Sequence, residues 1–235
     1  MNKLVVITGG TKGIGRALVF LFAKHNFDVA ICARSEDDLY QLKQHVEDIS
    51  DSEVFVKKTD VSKRTEVDDF LKFIHVLERP VDVLINNAGI FIPGQVHNEE
   101  EGMLQTMIDT NLYSAYHITR GIVPGMINSE AGHIFNMCST ASFMPYVNGG
   151  SYCISKFALL GMSKVLREEL KEHNIRVTSV MPGATFTASW EGNTDLPEER
   201  FMKPEDVAQA IWQAYELSDR TVLEELILRP QLGDI

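Results

Sequence analysis

Cysteine is scarce in this chain, basic residues are in deficit, and no long hydrophobic run occurs. The three cysteines, Cys32, Cys138 and Cys153, lack CxxC spacing. Neither a disulfide framework nor a cysteine-based metal site is therefore expected, and the thiols read as reduced and core-packed, the usage of a cytoplasmic protein. No apolar stretch approaches the roughly 20 residues that cross a bilayer, and nothing in the pattern addresses the chain to a membrane or for export. Lys and Arg number 22 against 33 Asp and Glu, a formal charge of -11. Such a surface repels nucleic-acid phosphates and anionic lipid, so neither nucleic acid nor membrane is an expected partner. Linker-like and repeated segments are also missing, and a single domain spanning 1–235 is expected.

What is present is 44% hydrophobic sequence arranged in alternating patterns. Strand-like runs occur at 3–8 (KLVVIT), 28–33 (DVAICA), 53–59 (EVFVKKT), 81–87 (VDVLINN), 132–139 (GHIFNMCS), 175–182 (IRVTSVMP) and 222–229 (VLEELILR). Amphipathic helical stretches separate them, which is how a doubly wound parallel sheet of seven strands with helices on both faces is written. Ser35 and Asp38 stand in capping-box spacing before the second helix, and Pro204 falls in the first turn of the last. The least regular stretch, 184–203, reads as a lid or a plain connection.

The first strand runs straight into TGGTKGIG, placing Gly9, Gly10, Gly13 and Gly15 in the turn that opens a helix. Glycines permit close backbone approach, and a helix N-terminus offers unpaired N–H groups to a pyrophosphate. The spacing is GxxxGxG rather than the common GxGxxG, and a loose strand-to-helix turn is the plainer alternative. Further on, SYCISK sets Tyr152 and Lys156 one helical turn apart on one face. Delivering a proton from a phenol of ordinary pKa near 10 at neutral pH calls for about 4 kcal/mol of help. Burial alone acts in the wrong direction, whereas a cation about 4 Å from the phenolate supplies on the order of that amount. Lys156 is expected to provide it.

With the motif Thr8 to Gly15, NNAG at 86–89, Asp60 after the third strand, Asn111, Ser139, Tyr152-x-x-x-Lys156 and Pro182-Gly183 in this order, the chain resembles the classical short-chain dehydrogenase/reductase family over nearly its whole length. The resemblance implies a Rossmann-like fold, a nicotinamide cofactor and a catalytic set of Asn111, Ser139, Tyr152 and Lys156. Ser139 would hold the substrate oxygen, Lys156 would also reach the nicotinamide ribose, and Asn111 would hold a water in a proton relay. It further implies a cofactor site built by the turn residues Gly9, Thr11, Lys12, Gly13, Ile14 and Gly15, by Asp60 and Val61 at the adenine, by Asn87, Ala88 and Gly89 on the floor, and by Pro182, Gly183 and Thr187 at the carboxamide. Thr185 is a second candidate there. Family members often pair through the helices bearing Asn111 and Tyr152, so a homodimer or homotetramer is expected.

The second strand closes as ICAR, without the acid that an NAD-preferring site uses for the ribose hydroxyls. Arg34, with Lys12, can pair a 2′-phosphate, so NADP is the expected cofactor, NADPH over NADH. Glu36 or Asp37 turning back toward a ribose is the other reading. Phe91, Phe143, Met144, Tyr146, Phe186 and Trp190 fall in loops expected at the catalytic face, which suits a small apolar or aromatic carbonyl or alcohol substrate, though each can equally serve packing. His97 and His117 have no metal-like spacing, and no metal is expected. The activity expected is an NADP-dependent oxidoreductase; the alternative is a catalytically silent nucleotide sensor of the same fold.

Overall fold

In a parallel sheet covered on both sides, strands are apolar throughout rather than alternating. The computed structural model, which describes residues 2–187, 190 and 195–235, forms its sheet from seven segments, the inner ones buried almost throughout and the two at the edges more exposed. These are β1 (Lys3–Thr8), β2 (Phe27–Ala33), β3 (Val54–Lys58), β4 (Val83–Asn86), β5 (Gly132–Met137), β6 (Ile175–Pro182) and β7 (Glu225–Leu228). The order is β3-β2-β1-β4-β5-β6-β7, with every pairing parallel. This is the Rossmann-like, doubly wound architecture expected. Of the irregular stretch 184–203, residues 188, 189 and 191–194 lie outside the described residues.

Successive residues of β1 serve opposite faces. Val5 and Ile7 pack with Leu18, Val19 and Phe22 of α1 (Gly13–Lys24) and with Ile211 and Trp212 of α7 (Pro204–Tyr215). Leu4 and Val6 pack with Phe70 of α3 (Arg64–Val76) and Ile118 of α5 (Ser114–Ser129). Each of these large side chains contributes about 1.5–3 kcal/mol on burial, so the two faces together hold the layers in place. Ser35 caps α2 (Glu36–Glu47) by accepting from the Asp38 N–H at 3.2 Å, and Pro204 occupies the first turn of α7.

Sequence expectations change in detail: the strands read at 53–59, 132–139 and 222–229 cover Val54–Lys58, Gly132–Met137 and Glu225–Leu228. The strand read at 81–87 ends at Asn86, because the Asn87 N–H turns away to the Ile85 carbonyl and the Thr8 hydroxyl. The amphipathic run around Asn111 is not one helix: α4 (Met103–Ile108) passes through a π-helical turn at Asp109–Tyr113 before α5 begins. The extra residue in such a turn rotates the following side chains, and here it leaves Asn111 fully buried.

From β1 the chain winds outward to β2 and β3, then crosses back to lay β4 on the other side of β1. The connections leaving β1 and β4 diverge, which opens a crevice at their carboxyl ends. Every candidate site residue lies at that end of the sheet or on the helices beginning there.

Candidate active site

The crevice floor is two loops locked together. The Thr8 hydroxyl accepts from the N–H groups of Asn87 and Ala88 at 3.0 and 2.9 Å. In return the Asn87 side-chain amide donates to the carbonyls of Thr8 and Gly9 at 2.8 and 3.0 Å. Asn87 is thus a brace beneath the cradle as well as part of its floor. Gly15 has to be glycine here, since a Cβ would stand 2.2 Å from the Gly9 carbonyl oxygen. Gly13 adopts φ +50°, and a Cβ on it would meet the Thr187 methyl at 2.8 Å, so Thr187 closes over the glycine turn. The first turn of α1 carries no acidic residue and no side-chain cap. That arrangement fits a dinucleotide pyrophosphate: an uncapped helix N-terminus, whose first N–H groups have no partner within the helix, follows a turn with no room for a Cβ at Gly13 or Gly15.

At the far end of the cradle, Arg34 is exposed just beyond β2. The Lys12 ammonium reaches the first turn of α2, where it pairs with Asp38 at 3.4 Å. Arg34 immediately precedes the cap Ser35, and Lys12 meets the same first turn of α2 at Asp38. Asp60 accepts from the Ser62 N–H at 3.1 Å and the Ser62 hydroxyl at 2.7 Å, forming a stiff turn that carries Val61. Burial raises the Asp60 pKa, but the Ser62 bonds, Lys63 and Arg34 together hold it below the ordinary carboxylate value. At the other end, Thr185 spends its hydroxyl on the Gly183 carbonyl at 3.1 Å, in contrast to Thr187, whose methyl stands over Gly13.

The four candidate catalytic residues arrive from three segments. Ser139 follows β5 and caps a short turn, Thr140–Ser142, its Oγ accepting from the Ala141 N–H at 3.1 Å. Ser142 is buried and its hydroxyl accepts from the Ser139 N–H at 3.2 Å, so the turn holds Ser139 from both sides. Tyr152 and Lys156 lie on α6 (Gly150–Leu170), with the Lys156 Nζ 5.7 Å from the Tyr152 ring centre. A Cβ on Gly89 would stand 3.5 Å from the Lys156 Nζ and 3.2 Å from the Asn111 Oδ1, which marks the point where the NNAG loop and the catalytic helices converge.

Asn111 works as a clamp. Its Oδ1 accepts from the Ile90 N–H at 2.8 Å, and its Nδ2 donates to the Ile90 carbonyl at 3.0 Å and to the Ser155 hydroxyl at 2.9 Å. Ser155 in turn donates to the Tyr152 carbonyl at 2.7 Å. Sequence reasoning passed over Ser155; a small polar residue between Tyr152 and Lys156, on the face their spacing turns inward, was the available signal.

The sequence pattern of the short chain dehydrogenase family matches residues 3–196. The chain belongs to this family. It is similar to a sepiapterin reductase of Chlorobaculum tepidum, with 32% identity over 100% of this chain and 99% of the relative. A NADP-dependent 3-hydroxy acid dehydrogenase of Escherichia coli shares 28% identity over 97% of this chain and 94% of its own. Among solved structures, an alcohol dehydrogenase from Thermococcus sibiricus complexed with 5-hydroxy-NADP superposes with a TM-score of 0.91 at 27% identity, covering 99% of this chain and 98% of that one. An L-sorbose reductase from Gluconobacter frateurii complexed with NADPH and L-sorbose gives 0.90 at 25%, covering 97% and 95%.

The electrostatics of this short-chain dehydrogenase correct one expectation. Lys156 does not acidify Tyr152 in this state. Burial pushes the phenol above its ordinary value, and neighbouring Cys153 and Cys138 add to the rise, while a hydrogen bond with the Ser139 hydroxyl opposes it. The reason lies in where the ammonium points: Lys156 Nζ donates to the Met137 carbonyl at 2.7 Å. Its own burial lowers it from 10.5 to about 8, against a smaller upward pull from Cys138. Burial also raises the thiols Cys32 and Cys138, to about 12 and about 11, which makes them poor nucleophiles.

The aromatic residues at the mouth of this dehydrogenase divide. Phe91 meets the Tyr152 ring edge-on at 4.9 Å and borders the reacting group. Phe186 and Trp190 instead pack on Phe201, at 5.5 and 5.0 Å, as the packing reading had it. Phe143 and Met144 sit beside Arg229, which is paired with Asp234 at 2.9 Å. Asp234 would touch a Cβ on Gly183 at 3.3 Å, so the C-terminal segment folds back over Pro182-Gly183, a contact no local pattern announces. Among the described residues, no group of three His, Cys, Asp or Glu side chains could hold a metal ion.

Proposed function

We propose that this short-chain dehydrogenase is an NADP(H)-dependent reductase of small apolar or aromatic ketones and aldehydes, with residues 1–235 acting as one binding and catalytic unit. The observation that carries the reading is the convergence, beside Gly89 and the glycine cradle, of a phenol, a serine hydroxyl and a buried ammonium. The NADP dependence of the Escherichia coli relative and the NADP-type cofactors bound in the two similar solved structures support it.

NADPH, when bound, supplies the hydride. The Tyr152 hydroxyl donates the proton that the substrate oxygen needs as it becomes an alkoxide. Ser139 Oγ holds that oxygen in place. Lys156, with a pKa of about 8, keeps an exchangeable proton near the phenol and reaches the nicotinamide ribose. Asn111 holds the Ile90 backbone and, through Ser155, the turn bearing Tyr152. Asp60 and Val61 hold the adenine, and Pro182, Gly183 and Thr187 the carboxamide. Arg34 and Lys12 take the 2′-phosphate, which sets NADPH above NADH. Its charge-assisted bonds are of the strength that decides such preferences, about 1.5–3 kcal/mol each.

The enzyme works as a homodimer or homotetramer. Tyr113 and Tyr116, at and just past the π-helical turn, and Ile154 and Phe157 on α6 are exposed and supply the apolar face for pairing. Three free, buried thiols accord with a cytoplasmic location. Loss of NADPH absorbance across a panel of ketones and aldehydes tests the activity. Binding of NADPH with no consumption over the panel would assign the chain to the nucleotide-sensor reading instead.

A further inference from the structure

Glu99 lies between β4 and α4, outside every motif the family resemblance rests on. Its carboxylate accepts from the Ser151 N–H at 2.8 Å and from the Ser151 hydroxyl. Ser151 is the second residue of α6, and its N–H is one of those a helix cannot satisfy from within. The helix has no local remedy: Gly149 at the cap carries no side chain, and the first turn has no acidic residue. A capping box would put its acid at the third position, but Tyr152 occupies that position.

The acid therefore comes from across the crevice, and the chain makes room for it. A Cβ on Gly94 would stand 2.7 Å from the Glu99 Cγ, and one on Gly150, at φ +29°, only 1.9 Å from Oε1. The same segment is stitched to the residues before α6. Gly94 N–H donates to the Asn148 carbonyl at 3.0 Å, and the Gln95 amide donates to the Asn148 Oδ1 at 2.8 Å. Upstream in the segment, Phe91 meets the Tyr152 ring.

We propose that Glu99 is a positioning residue: by capping the first turn of α6 from the facing loop, it fixes the Tyr152 phenol and the Phe91 ring relative to the substrate oxygen. This rests on the reductase reading above. A displacement of about 1 Å at a reacting group costs on the order of a hundredfold in rate. Glu99→Ala is accordingly expected to lower kcat by about 10- to 100-fold, with NADPH affinity, read by fluorescence titration, kept within about twofold. Hydrogen exchange should quicken in 90–102 and at the amides of 151–153, and not elsewhere. Glu99→Gln, which retains an acceptor for the Ser151 N–H, should recover most of the lost kcat.

A Glu99→Ala kcat within about twofold of the parent overturns the proposal, and so does a parallel loss of kcat, NADPH affinity and melting temperature, which would mark a general structural role. Should Glu99→Ala fail to fold, Ser151→Ala, which removes one of the two bonds, carries the same readouts with a smaller expected loss. Should the parent enzyme reduce no carbonyl compound, the reductase reading fails, and hydrogen exchange decides the cap by itself: localised quickening supports it and unchanged exchange refutes it.

Discussion

Replacing Lys156 by methionine should make the cofactor-free protein more stable at neutral pH while ending its activity. Lys156 is 5% exposed, and burial lowers its pKa from 10.5 to about 8. Holding the ammonium there at pH 7 therefore costs the folded chain about 3 kcal/mol. Methionine of similar length removes that penalty and strands the Met137 carbonyl, a loss of about 1–2 kcal/mol, so a net gain of about 1–2 kcal/mol is expected. The pH dependence has a definite sign. Between about 8 and 10.5 the folded chain has released this proton while the unfolded chain still binds it, so parent stability rises with pH across that window. The variant lacks this gain, and its advantage should shrink by about 2 kcal/mol on going from pH 7 to pH 10. Urea unfolding of both proteins at the two pH values measures the difference, in which groups common to both cancel. A variant less stable than the parent at pH 7 by more than about 1 kcal/mol, or a difference independent of pH, would refute the reasoning.

Tyr152→Phe removes a proton and almost no volume, so turnover should fall by about 10²- to 10⁴-fold with the NADPH dissociation constant little changed; retained turnover means another acid serves. Arg34→Asp should shift the ratio of kcat/KM for NADPH over NADH by about 10- to 100-fold toward NADH, and an unaltered ratio would remove Arg34 from the phosphate site. Asn111→Ala strips partners from the Ile90 N–H and carbonyl and from the Ser155 hydroxyl, for a loss of about 2–4 kcal/mol in thermal unfolding; an unchanged melting temperature would mean that the Ile90 loop holds itself.

The sheet was legible because its inner strands are buried on both faces and therefore largely apolar; the ends shifted, as at Asn87, where a side-chain hydroxyl from another strand takes the N–H, and the more exposed edge strands β3 and β7 are shorter than read. The glycine cradle was legible for a similar reason, since a backbone that must approach a ligand and a neighbouring loop leaves glycine as its trace in sequence. The π-helical turn at Asn111 left no such trace. The extra residue shifts the helical phase by about 100°, but α4 before it has only 6 residues, too few to display a phase, and the inward turn of Asn111 depends on Ile90, which lies 21 positions away. Glu99 on Ser151 and Asp234 beside Gly183 are likewise meetings of distant segments, each an ordinary acid in its own neighbourhood. The rise in the Tyr152 pKa was not legible because spacing reports that Lys156 is near but not that the phenol is buried or that the ammonium turns to the Met137 carbonyl.

The raised Tyr152 pKa bears on how the proposed reaction depends on pH. A phenol raised above its ordinary pKa is fully protonated at neutral pH, which is the form an acid must have before it can give its proton. The alkoxide that hydride addition creates is a much stronger base than any phenolate, so the transfer runs downhill without prior acidification by Lys156. The reverse reaction has the opposite requirement. Taking a proton from an alcohol calls for the phenolate, which burial beside Cys138 and Cys153 makes scarce at pH 7. In the proposed reaction the protonated phenol serves carbonyl reduction and the phenolate serves alcohol oxidation, so the reduction rate should fall and the oxidation rate rise with increasing pH, while the net direction is set by the substrates, the cofactor couple and the proton concentration and not by the burial of Tyr152.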